Sequence, residues 1–120
     1  MIAEQALYDA LKNDAVVSNI VADKIYPNAL APQGTDTPYL SFFTILKELQ
    51  PCLKTGSNTP TYRINMTINC WSTSYTNVKD LAEAVTNAVM VLHPAELNEQ
   101  DFYEYDTKLH RVAIDMTYWW

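Results

Sequence analysis

The sequence predicts an α+β fold: an antiparallel sheet of about four strands, with an N-terminal helix and one long helix over residues 75–92 packed on one face. Three observations predict it. Residues 61–71 alternate apolar and polar side chains without a break, so Tyr62, Ile64, Met66, Ile68 and Cys70 project to one face and Arg63, Asn65, Thr67 and Asn69 to the other. The period then changes, and Val78, Leu81, Ala82, Val85, Val89 and Leu92 fall on one side of a helix. Residues 109–119 return to alternation, with Val112, Ile114 and Met116 inward and Arg111, Asp115 and Thr117 outward. The inward side chains of 61–71, at about 1.5–3 kcal/mol each, represent on the order of 10 kcal/mol of burial as an upper bound. The rest of the chain is organised to cover that face.

In chain order, residues 2–12 place Ala3, Ala6, Leu7, Ala10 and Leu11 at helical spacing, with Glu4 in the first turn where the helix dipole favours an anion. Asn13-Asp14 interrupts this helix, and Asp14 is placed to cap a further turn or two through Ala15, Val16, Val17, Ile20 and Val21. Ile25-Tyr26 reads as a short strand. Pro27, Pro32, Gly34 and Pro38 deny residues 27–38 a regular ladder and predict an extended arm. Residues 39–49 are rich in aromatic and β-branched side chains and predict a strand with Tyr39, Phe43 and Ile45 on one face and Leu40, Phe42 and Leu46 on the other. Both of its faces call for cover, from within the domain or from another subunit. Pro51, Gly56, Ser57, Asn58 and Pro60 make residues 50–60 a long hairpin loop. Ser74 or Thr76 is positioned to cap the long helix, and Pro94 ends it. Residues 102–105 predict a short strand, Asp106-Thr107-Lys108 a turn, and 109–119 the final strand.

A chain of 120 residues that is 48% apolar is long enough for one core, and residues 1–120 read as a single domain. The net charge of −6, with only 8 scattered lysines and arginines, argues against a surface that grips DNA by displacing its counterions. Charged residues make up 18%, below the usual value of about 25%, while eight tyrosines and three tryptophans are present, so part of the surface is expected to be covered by a partner. Cys52 falls in the loop and Cys70 on an inward face, which predicts a buried free thiol at Cys70 and no disulfide. No leader and no apolar run of the roughly 20 residues needed for a membrane span are apparent, so a cytosolic compartment is expected.

Catalytic constellations are scarce. His93 precedes Pro94 at a helix end, where a capping role fits best. His110 shares a face with Val112 and Ile114, and no serine or cysteine nucleophile is tied to it by a motif. Glu104 and Asp106 are expected on one strand face beside Asp101, but without HExxH, CxxC or calcium-loop spacing they read as solvated edge charges rather than metal ligands. Gly34 and Gly56 are isolated, so there is no glycine-rich phosphate loop. The expectation is a protein that is not an enzyme and uses no cofactor and no metal. The aromatic surplus is more informative. Trp71 and Trp119 fall on nominally outward faces, where each either packs on its own domain or meets another subunit. The outward set of 61–71 carries one charge, Arg63, among Asn65, Thr67, Asn69 and Trp71, a neutral face that is cheap to desolvate. The candidate subunit or partner interface is therefore Tyr39, Phe43, Ile45, Arg63, Asn65, Asn69, Trp71, Trp119 and Trp120, with Gly56, Ser57 and Asn58 of the loop.

The order of these pieces resembles one family. Leu7-Tyr8-Asp9-Ala10-Leu11-Lys12 opens the chain, Val21-Ala22-Asp23-Lys24-Ile25-Tyr26-Pro27 follows, and Thr37-Pro38-Tyr39-Leu40-Ser41-Phe42 comes next. Tyr62-Arg63-Ile64-Asn65-Met66-Thr67-Ile68-Asn69-Cys70-Trp71-Ser72 runs into the helix, and Leu109-His110-Arg111-Val112-Ala113-Ile114-Asp115-Met116-Thr117-Tyr118-Trp119 ends the pattern. Over nearly its whole length this is similar to the tail completion, or tail-to-head joining, proteins of long-tailed bacteriophages and prophages. The resemblance implies a non-enzymatic virion protein of α+β fold that forms a ring, typically hexameric, at the head-proximal end of the tail. Its implied partners are further copies of itself, the tail tube protein and the head-tail connector protein, with DNA passing through without specific binding and no membrane involved. Assembly in the bacterial host cytoplasm is implied as well. Tail terminator and head-tail connector roles share the resemblance. A small-ligand or peptide-binding α+β module, or a hydrolase using His110 and an acidic partner, is the competing reading from a different class.

Overall fold

The computed structural model describes residues 3–27, 36–50 and 61–120. The loop with Cys52, Gly56, Ser57 and Asn58, and the expected arm between residues 28 and 35, lie outside the described residues. Helices α1 (Ala3–Asn13), α2 (Ala15–Val21) and α3 (Tyr75–Val89) pack on one side of a sheet made of β1 (Ile25–Pro27), β2 (Tyr39–Gln50), β3 (Thr61–Ser72), β4 (Glu96–Glu104) and β5 (Leu109–Trp119). The strand order is β1-β2-β3-β5-β4.

Each helix begins and turns inward for local reasons. Asp14 has extended backbone angles, and its Oδ1 accepts from the Val16 and Val17 amides at 3.0 Å, so the break after α1 is also the start of α2. Asp14→Ala is expected to cost about 1 kcal/mol, lowering the urea midpoint with an unchanged slope. Of the two candidate caps of α3, Ser74 is the one used: its Oγ accepts from the Asn77 amide at 3.4 Å. The long helix is regular to Val89 only. Met90–Leu92 tighten into a 3-10 turn, and His93 ends it in the left-handed region (φ 52°), its amide donating to the Met90 carbonyl at 3.0 Å. His93 therefore works as a terminator.

The inward stripe of β3 is buried as its alternation predicts: Ile64, Met66, Ile68 and Cys70 are fully enclosed under α3, beside Val112, Ile114, Met116 and Tyr118 of β5. Leu7 and Leu11 of α1 and Val17 and Val21 of α2 complete the core. The Tyr118 hydroxyl donates to the Ala3 carbonyl at 2.9 Å, tying β5 to the first turn of α1. Burial, with the Glu4 carboxylate adding to it, raises the Tyr118 phenol above its ordinary 10.0, and burial with Glu99 raises the free thiol of Cys70 above its ordinary 9.0. Both groups stay neutral in the fold, whereas the unfolded chain releases their protons. The stability these two groups contribute is thus fully present below pH 9 and falls as pH rises above their ordinary values. Tyr118→Phe is expected to make the decline above pH 10 shallower, leaving the share of Cys70, as read from urea midpoints across pH.

Four expectations need correction. The sheet has five strands rather than about four, and its first pair is parallel: Ile25, Tyr26 and Pro27 align with Leu40, Ser41 and Phe42. The strand expected at 102–105 is the longer β4, Glu96–Glu104. It is an edge strand with one partner, β5, and exposed on nearly all sides, so backbone pairing holds it and no alternating pattern marks it. Asp106 sits in the turn beyond it, where Lys108 adopts φ 58°, and so does not share a strand face with Glu104. Finally, β2 carries a bulge. The register steps from Thr44↔Met66 to Leu46↔Asn65, leaving Ile45 unpaired. This flips the alternation, moving Leu46 from the expected side of Leu40 and Phe42 to the side of Phe43.

Candidate assembly interface

No described helix lies on the second face of the sheet. Its composition follows from the registers: Tyr39, Ser41, Phe43, Leu46 and Glu48 of β2, the odd-numbered residues of β3 and β5, and the even-numbered residues of β4. Side-chain hydrogen bonds run across the strands and close this face on itself. Thr67 Oγ1 donates to Asp115 Oδ1 at 2.6 Å, Arg111 Nη1 to Asn69 Oδ1 at 3.2 Å, Trp71 Nε1 to Ser41 Oγ at 3.3 Å, and Thr117 Oγ1 to Asn65 Oδ1. Ser41, Thr67, Asn69 and Thr117 are consequently buried although nothing described covers the face. A floor whose polar atoms already have partners loses little hydrogen bonding to water when another surface settles on it.

Taller side chains stand at both ends of this floor. At one end a single register row crosses four strands: Tyr39, Trp71, Arg111 and Phe102 are successive cross-strand partners. Tyr39 stacks on Trp71 with centroids 5.9 Å apart and planes 17° apart, and Tyr26 meets Tyr39 edge-on at 6.3 Å. The Arg111 guanidinium lies 4.3 Å from the Phe102 ring centre and 5.6 Å from that of Trp71, with Glu104 Oε1 3.9 Å from its Nε. Burial, and next the Glu104 carboxylate, raises the Tyr39 phenol. At the other end Trp119 pairs in register with Arg63, near the bulge that exposes Ile45 (57%) and Leu46 (43%).

The structure gathers the residues singled out in the sequence onto this face, but gives them different standing. Tyr39, Phe43, Arg63, Asn65, Asn69, Trp71 and Trp119 share it by register, Ile45 sits at its bulge, and Trp120 follows its last strand. Asn69 is held under Arg111 and Asn65 is engaged by Thr117, so both belong to the floor. Trp71 is half-buried against its own β2. Arg111, Phe102 and Leu46 were missed as members of this surface. Arg111 and Phe102 become neighbours only through the β4–β5 register, and Leu46 arrives there only through the bulge. On the helix side, His110 contacts the rings of Tyr75 (5.7 Å) and Tyr103 (4.7 Å), the semi-buried packing expected of it.

The described chain is a small two-layer α+β subunit, with helices on one face of the sheet and the other face left open. A chain of the virion of native gene transfer agent particle shares the fold with a TM-score of 0.72 at 16% identity, the match covering 97% of this chain and 92% of that one. No curated protein matches the sequence. The family model of tail completion protein gp17 matches residues 5–120, and the chain belongs to that family. It is a structural protein of a phage tail, a component of the virion.

Proposed function

We propose that copies of this chain close into a ring, hexameric as in the resemblance above, at the head-proximal end of the tail. There the ring completes the tail and joins the tail tube protein to the head-tail connector protein, and it assembles in the host cytoplasm before entering the virion. The observation that carries this reading is the sheet face bare of described helices, with its internally bonded floor and its aromatic and arginine side chains at either end. Such side chains dominate protein interfaces. The two layers of the subunit are unlike each other, so a contact between sheet face and helix face is heterologous and closes only as a ring. The acidic composition suits a channel along which DNA slides without being held. The work of the protein in this reading is mechanical and architectural, without catalysis, cofactor or metal.

Light scattering coupled to size exclusion, with and without purified tail tubes, tests it: a ring mass, alone or on the tubes, is expected, and a strict monomer that ignores the tubes overturns it. Trp71→Ala is expected to weaken assembly while the subunit remains folded. Unfolding of that variant instead assigns Trp71 to the core of its own domain.

A further inference from the structure

We draw no further inference here: the strongest candidate, the exposed apolar patch that Ile45, Leu46 and Trp119 form at the β2 bulge, carries nothing because Arg63 within it lies among Glu48, Glu96 and Asp115, so that no charge selects a partner, and nothing in the structure shows what covers it.

Discussion

Replacing Ile68 by alanine is expected to destabilise the subunit by about 2–5 kcal/mol, because it opens a cavity where no neighbour can relax into it. Ile68 is fully buried at the middle of β3, aligned with Phe42 of β2 on one side and Ile114 of β5 on the other. All three strands are fixed by their ladders, so the lining of the cavity cannot collapse far. Urea unfolding followed by far-UV circular dichroism should show the midpoint fall at constant slope. Assembly should fail only when the subunit itself melts. Loss of assembly by a folded Ile68→Ala subunit runs against this account of a residue buried wholly within its own core.

Replacing Arg111 by alanine is expected to cost about 1–3 kcal/mol through three linked losses on the open face. The guanidinium leaves the faces of Phe102 and Trp71, Asn69, only 7% exposed in the wild type, loses its donor, and Glu104 loses its nearby cation. Arg111→Lys should fall between wild type and alanine, since an ammonium keeps the charge but cannot stack flat between two rings while donating to Asn69. Urea midpoints of the three proteins read the order directly. Equal stability of lysine and alanine variants removes the charge from the explanation, and equal stability of all three removes the side chain from it.

The sequence disclosed those parts of the fold in which burial and periodicity coincide. The inward face of β3, the stripe of α3 and the span of β5 all follow from apolar spacing, and Asp14 and Ser74 follow from the chemistry of helix starts. The strand β4 was only partly legible because an exposed edge strand has no apolar face to announce it, and its length is set by the partner it pairs with. The bulge at Ile45 left no mark in composition either, yet one extra residue decides which layer receives Leu46. For the candidate interface, Trp71, Trp119 and Tyr39 stood out by residue type alone, since large aromatic side chains at nominally outward positions are conspicuous. What could not be read was their grouping. That Tyr39, Trp71, Arg111 and Phe102 form one row depends on pairings between residues far apart in the chain, as does the separation of the bonded floor, with Asn65 and Asn69, from the raised ends.

The strand order has a consequence for how the chain comes to be folded. β5 lies between β3 and β4 although it follows both in the chain, and contacts such as Thr67 with Asp115 span 48 residues. During synthesis β4 emerges with no strand to pair with, and β3 is left with an unsatisfied edge while α3 is being made. Both wait for β5 to insert. The nascent polypeptide therefore passes through a stage in which two apolar or unpaired surfaces are open to its neighbours, a stage that ends only when β5 is available to pair.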